Sequence, residues 1–360
     1  MGRAWIIAVG VSLAASACAL VEDLGGLRGA DAGPADAGED VAVEAAPPPL
    51  GEPPPRPDGG TPSSQVLTFA VRTVDLGDAD GGAGWQTLGY DLDGKTTTDT
   101  STDVCAPVSG GSVHADGVDG IDNGFGDSIL SLIRGVNGPD SLTSAQVSSY
   151  VDQGNWTLEI EVDGLSNDPA QTAVGLSASV YEAASYGAAP AFDTSTDWPV
   201  LSTSLVDGAT FGSGARITFA AAYVAGGTFV SGPSTSPVPF RIPFQDRNIE
   251  LSIHAAILTF DHVSPGVGAH GVLAGVLDTQ ELVASFKELI GEIDPNLCDA
   301  ASTQSVLGQL EQASDIFVDG TNAPTGTCSG ISIGLGFEAS VVANPTKVTQ
   351  APPPGNDPCP

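Results

Sequence analysis

The chain has 360 residues, 44 acidic against 11 basic, and a formal charge of −33. That balance excludes a general nucleic-acid binder, which needs Lys and Arg to displace counterions from phosphates. It also opposes electrostatic adhesion to an anionic membrane surface. Asp outnumbers Glu and sits among many Gly, Ser and Thr residues. Short polar side chains bond nearby backbone N–H groups and favour turns, so the composition points to a loop-rich β protein.

Residues 1–17 read as a signal peptide: Arg3 supplies a minimal charged start and Trp5 to Leu13 a short apolar stretch, with small residues leading to Cys18. The apolar stretch is too short for a membrane span. Ala15-Ser16-Ala17-Cys18 admits two cleavage readings. One is ordinary cleavage after the small residues; the other makes Cys18 a lipidated N-terminus. The chain has five cysteines, so lipid on Cys18 leaves an even set, Cys105, Cys298, Cys328 and Cys359, suited to disulfides in an oxidising compartment. The segment resembles bacterial lipoprotein signals, with Ala15 where those usually carry Leu. In that resemblance Ala19 after the cysteine implies transfer to the outer membrane.

Residues 18–64 are acidic and rich in Pro, Ala and Gly, which predicts a disordered linker. Its proline-rich part would extend on the order of 100 Å at ~3.1 Å per residue. Residues 65–350 then read as one β-rich domain and residues 351–360 as a proline-rich tail.

Alternation of apolar and polar residues predicts strands at Gln65–Leu76, Trp85–Leu92, Trp156–Val162, Ala173–Glu182, Ala215–Val224, Thr228–Val230, Phe240–Phe244, Ile249–Phe260 and Gly330–Ala343. In Trp156–Val162 the apolar residues share one face, leaving Glu159 and Glu161 on what reads as an exposed one. In Ile249–Phe260 the alternation changes phase, which predicts a bulge or strand break near Ala255–Ala256. Short helices are expected at Ser128–Arg134 and after Thr143, and longer ones at Thr279–Ile293 and Thr303–Phe317. Frequent turn signals suggest an antiparallel β-sandwich or jelly roll with a two-helix C-terminal insertion. Cys298 and Cys328 bracket the second long helix and are expected to pair, leaving Cys105 for Cys359, although four cysteines allow three connectivities.

Three stretches resemble uncharacterised secreted lipoproteins of myxobacteria: Leu88 to Gly94, Asp116 to Asn123, and Cys298 to Phe337. The resemblance implies location. It carries no activity.

Asp91, Asp93, Asp116, Asp119, Asp122 and Asn123 place hard oxygen ligands on glycine-punctuated loops, the donor set that Ca2+ takes. The helix–loop–helix calcium spacing fails, and the competing expectation is Asx-turns and caps. His254, His262 and His270 are evenly spaced, but not in a zinc pattern, and His270 falls in what reads as a glycine-rich turn. No G-x-S-x-G or H-E-x-x-H occurs. Gly334 to Ala339 imitates a dinucleotide fingerprint inside a strand and is rejected. Trp198, in a loop-like context, is the candidate exposed platform for a sugar. The leading expectation is a lipid-anchored envelope protein, non-enzymatic, binding a polysaccharide or an envelope protein. The alternative is a carbohydrate-binding module or hydrolase.

Overall fold

The computed structural model describes residues 51–352 and 358–359, apart from residues 80, 139–140 and 245–246. They belong to one compact unit, Pro47–Pro360. The expected signal peptide and Cys18 lie outside the described residues.

The strands are β1 Val66–Asp75, β2 Thr157–Asp163, β3 Ala173–Ala183, β4 Val200–Leu201, β5 Ile217–Ala225, β6 Thr228–Ser231, β7 Val238–Phe244, β8 Arg247–Ser264, β9 Val267–Asp278, β10 Gly330–Val342 and β11 Val348–Thr349. The helices are α1 Leu130–Asn137, α2 Ser144–Asp152, α3 Thr279–Ile293 and α4 Ala301–Gln312. The protein is mainly β, but the strands close on themselves. The order β3-β2-β1-β10-β9-β8-β6-β5 returns to β3, giving an antiparallel barrel of eight strands where a two-sheet sandwich was expected. Closure removes the unpaired edges that a sandwich would leave.

Eight strands enclose an interior that side chains just fill. Phe69, Phe229 and Phe260 pack there with centroids 4.9–5.0 Å apart, and the void left among Val71, Leu158, Ile160 and Phe240 is only about 20 Å³. Strand β7 pairs with β8 alone, at an edge where Pro239 and Pro243 need no N–H partner. Its Phe240 meets Trp156 edge-on at 5.1 Å. The bulge in β8 falls between His254 and Ile257, with Ala255 at φ 48°, where the alternation changes phase. Residues 266–271, expected as a glycine-rich turn, instead lead into and open β9. Their glycines give close approach between strands: a side chain on Gly271 would strike the Phe337 ring.

The second half of β1 loses its β2 partner, and α2 replaces it. Ser148 Oγ accepts from the Val74 N–H (2.9 Å) and Ser144 Oγ from the Leu76 N–H (2.9 Å). Residues 85–92 are no strand: a 3-10 turn at Gly84–Thr87 leads into the acidic loop.

A second layer covers the outside of β1–β3. The segment after Phe192 and the segment after Val342 lie there, joined by the β4–β11 pair and an Ala343 N–H bond to the Thr196 carbonyl (3.0 Å). Trp198 belongs to this layer. Residues 51–64, expected as the last part of the linker, also dock on the barrel. Tyr223 donates to the Pro54 carbonyl (2.6 Å), Arg56 donates to that of Ala221 (2.7 Å) and lies over the Tyr223 ring, and the Ser63 N–H reaches Gly164 O (2.9 Å). Proline content marks extension, but backbone and ring contacts still fix these residues.

Both disulfides connect differently from the expectation: Cys105 to Cys328 and Cys298 to Cys359. Sequence proximity misled, because Cys328 runs beside the acidic loop. The Ala106 N–H bonds Gly326 O (2.8 Å) and the Cys328 N–H bonds Ala106 O (2.9 Å), which sets the two cysteines together. Cys359 lies against Gly291 of α3, where any side chain would collide with its sulfur. No helix among the described residues is long and apolar enough to cross a membrane.

Candidate functional site

The acidic loop between β1 and α1 is fastened over β10. Asn123 is its anchor: Nδ2 donates to Leu88 O (2.8 Å) and Gly334 O (3.1 Å), and Oδ1 accepts from the Gly126 N–H (3.0 Å). Gly334 has no side chain because Leu88 O and Gly89 occupy that space. The glycine that imitates a dinucleotide fingerprint is thus a seat for the loop. Tyr90 adds a 2.7 Å hydroxyl bond to Thr259. After Gly124 the chain winds through a π-turn, Phe125–Ile129, before α1.

This anchoring gathers three of the six expected ligands. Asp91, Asp93 and Asp122 each place a carboxylate oxygen so that all three lie within 4.8 Å of one another. The turn that does this is local. Asp91 Oδ1 accepts from the Gly94 N–H (2.7 Å) and the Lys95 N–H (3.1 Å), Asp93 Oδ1 from the Lys95 N–H (2.8 Å), and Asp122 Oδ2 from the Leu92 N–H (2.7 Å). So the expected Asx-turns and the convergence are both present, on the same side chains. The other Asp93 oxygen, Oδ2, is buried and has no hydrogen-bond partner. The Lys95 ammonium turns away to Asp103 (3.4 Å).

The remaining three expected ligands part from the cluster. Asn123 is structural, as described. Asp119 is exposed at φ 55° in a 3-10 turn. Asp116 accepts from the Thr97 N–H, in an adjoining layer. Asp315, which the sequence reading missed, lies beneath the loop and accepts from the Ser332 N–H (2.9 Å), while Ser332 Oγ in turn accepts from the Gly124 N–H (2.7 Å). The only sequence signal for it is the absent side chain of Gly124, which would press on its carboxylate.

Packing so many carboxylates together raises their proton affinity. Burial, with Asp93, Asp116 and Asp315 adding repulsion, pushes Asp122 up to about 10. Burial pushes Asp116 up to about 7 against the stabilising Thr97 N–H. Asp91 and Asp315 are also raised, burial first in each case. A divalent cation relieves the same crowding by charge, and an orphaned carboxylate oxygen among two others is a donor set that suits Ca2+. The residues present fit such an ion.

No family model matches the chain, and no curated protein or solved structure matches it either.

The other candidates disperse. His254 bonds Glu281 (2.9 Å) and His270 bonds Asp261 (3.1 Å). His262 is buried with neither ring nitrogen hydrogen-bonded, so the three form no zinc site. His114 sits on Gln312 O through Nε2 (3.1 Å), with Nδ1 3.4 Å from Ser128 Oγ. Ser128 also approaches Asp127 (3.1 Å), and a backbone carbonyl stands where a catalytic carboxylate would orient the ring.

Trp198 is no exposed platform. It is wholly buried, donates to Ala184 O and packs against Tyr186 (5.4 Å) and Phe192 (5.8 Å) as the centre of the outer layer. Trp156 is core, as its strand face implied. Glu159 contradicts the exposed-face expectation. The outer layer covers it entirely, and neither carboxylate oxygen finds a hydrogen bond.

Proposed function

We propose that this chain is an exported protein held to the outer membrane or cell surface by lipid on Cys18, and that its barrel is a calcium-stabilised, non-enzymatic binding module. In this reading residues 1–17 direct export and residues 18–50 are a spacer. The myxobacterial lipoprotein resemblance supports the location, as does a domain whose remaining cysteines are all joined in disulfides. The observation that carries the calcium part is the convergence of Asp91, Asp93 and Asp122 around the partnerless oxygen of Asp93.

The ion supplies positive charge where the fold has stored negative charge. Asp91 and Asp93 hold the turn through Lys95, and Asp122 ties that turn to the anchor at Asn123. Ca2+ shared among them would lock the loop to the barrel wall, so its role is structural rather than chemical. With Trp198 in the core, the sugar-platform alternative loses the residue on which it stood.

Two measurements test the two halves separately. Mass spectrometry of the membrane-fraction protein is expected to find a diacylated Cys18; an unmodified residue there, or an N-terminus elsewhere, rejects the tether. Thermal melts are expected to shift upward with calcium and return with chelator, and Asp93→Asn is expected to remove the shift. Superimposable melts reject the metal site and leave the tether standing.

A further inference from the structure

The outer layer rests on a buried carboxyl group that it leaves without a partner. Glu159 lies on β2 between Ala70 of β1 and Tyr181 of β3. The layer touches down on both sides of it. On β1, Thr68 donates to the Asn344 side chain (2.9 Å), and the Arg72 guanidinium lies over the Phe192 ring at 5.4 Å. On β3, Tyr181 packs into a small cluster with Val200, Leu205 and Val348. The carboxyl group between them is wholly buried, and neither oxygen has a hydrogen bond.

The groups around it supply no counter-ion. The layer brings Asp197 and Lys347, but Lys347 pairs with Asp197 (3.2 Å). Strand β2 adds Glu161 and β3 adds the Tyr181 hydroxyl, which donates to Glu161 (3.4 Å). Arg72 of β1 pairs with Asp152 (3.7 Å). Burial, then Asp197 and Glu161, raise the proton affinity of Glu159. Once ionised, it stands against Asp197 as a like charge away from bulk water.

Asp197 is also the clasp of the layer. Its carboxylate accepts from the Thr346 N–H (3.0 Å) and the Thr346 hydroxyl (2.7 Å), which joins the two covering segments. Regular pairing between them is short: Val200 and Leu201 of β4 meet Val348 and Thr349 of β11. The barrel beneath is held by long ladders, such as β9 with β10 from Leu277–Ile331 to Val267–Ser340. Lifting the layer therefore breaks few bonds and hydrates Glu159, whereas opening the barrel breaks many to the same end.

We propose that the outer layer is a pH-released cover, shut while Glu159 is protonated and lifted from β1–β3 when Glu159 ionises against Asp197. The open state releases a proton that the closed state keeps. Opening therefore becomes more favourable as pH rises, by at most about tenfold per pH unit. The device requires neither calcium nor the tether.

The test is hydrogen–deuterium exchange of the full chain carrying Cys18→Ser, in calcium, between pH 6 and 9. Rates are corrected for the base-catalysed exchange of free amides. The readouts in the layer are the Val200 N–H on Lys347 O (2.9 Å) and the Ala343 N–H on Thr196 O (3.0 Å). The reference amides are those paired between β9 and β10. Layer amides are expected to exchange at least about 100-fold faster than the reference, through local rather than global opening. Their protection is expected to fall about tenfold per pH unit. In Glu159→Gln that slope is expected to vanish, with the layer still protected at pH 9. Layer amides that exchange no faster than the barrel's would show that the layer opens only with the whole fold, which overturns the proposal. A slope that persists in Glu159→Gln overturns it too. Should that variant fail to fold, Glu159→Met, of similar length and unable to ionise, is read in the same way.

Discussion

The acidic loop and the barrel wall both bury carboxylates, by different means. Asp91, Asp93 and Asp122 are held by backbone N–H groups on a loop, close enough to share a cation. Glu159 stands alone on β2, wholly buried under the outer layer, with both oxygens unbonded and the nearest named charges, Asp197 and Glu161, also negative. Next to it on the sheet Glu182 shows a third solution: Arg241 pairs with it at 2.6 Å and the Trp156 indole donates to it at 3.3 Å. A buried carboxylate needs a cation, a donor or a proton. The loop brings three carboxylates to within reach of one cation, Glu182 has the first two, and Glu159 has only the third. The comparison teaches that clustering of acids, rather than burial of one, is the feature that points to a metal.

The largest expected effect separates the loop's covalent fastening from the wall's sheet bonding. Cys105–Cys328 closes a separation of 223 residues and pins the loop's middle. On the chain-entropy model such a closure stabilises by about 5 kcal/mol, and measured losses are commonly about 2–5 kcal/mol. The double variant Cys105→Ser, Cys328→Ser is expected to lower unfolding free energy by that order in denaturant titrations. It is also expected to abolish the calcium-dependent rise in melting temperature. Persistence of that rise would show that the turn at Asp91–Lys95 holds the ligands unaided.

Next comes calcium itself. At 100 times the dissociation constant a ligand confined to the folded state stabilises by about 2.7 kcal/mol. Asp93→Asn is expected to forfeit this in calcium. Glu159→Gln is expected to leave the calcium increment unchanged, since it alters only the wall. An equal loss in both variants would break the distinction between the two regions.

The sequence made most strands legible, because alternation survives wherever one face meets the core. It did so for Trp156–Val162 and even for the change of phase in β8. Closure was not legible, since β3–β5 pairing leaves no local mark in either strand. The same holds for the second layer. An alternating strand announces that one face is buried but not what covers the other, so Glu159 was placed in water; Trp198 was placed there because its surroundings read as a loop. At the site, Asp91, Asp93 and Asp122 were legible only as members of a six-residue oxygen set on glycine-punctuated loops, whereas Asp315 arrives from far along the chain. Proximity along the chain also misassigned the cysteines, although Gly291 in mid-helix carried a hint that something large lies against α3.

The wall can be interrogated by pH. Burial, then Asp197 and Glu161, raise Glu159 well above its ordinary range, so the folded state keeps a proton that the unfolded chain releases above about 4.5. The sign follows: this contribution to stability is whole below pH ~4.5 and is lost as pH rises toward the folded value, at up to about 1.4 kcal/mol per pH unit. Glu159→Gln, which keeps the shape and cannot ionise, is expected to remove that slope and to be the more stable protein at pH 8. Parallel pH profiles for the variant and the parent, measured by urea unfolding in calcium, would mean that Glu159 ionises freely in the folded state and that the outer layer does not seal it.

The smallest expected effect has the opposite sign and lies inside the barrel. His262 is buried beside Phe69, 5.9 Å away and edge-on, and burial lowers its proton affinity below the usual value near 6.5. Here the unfolded chain binds the proton first. Stability is therefore whole above pH ~6.5 and falls as pH drops below it, by less than about 1.4 kcal/mol per pH unit. His262→Leu is expected to flatten the acid side of the profile while leaving the contribution of Glu159 on the alkaline side as it was. If the two changes proved inseparable, the interior of the barrel and its covered outer wall would be one electrostatic environment. The sheet between them argues against it: Glu159 and His262 lie on opposite faces, each surrounded by its own layer.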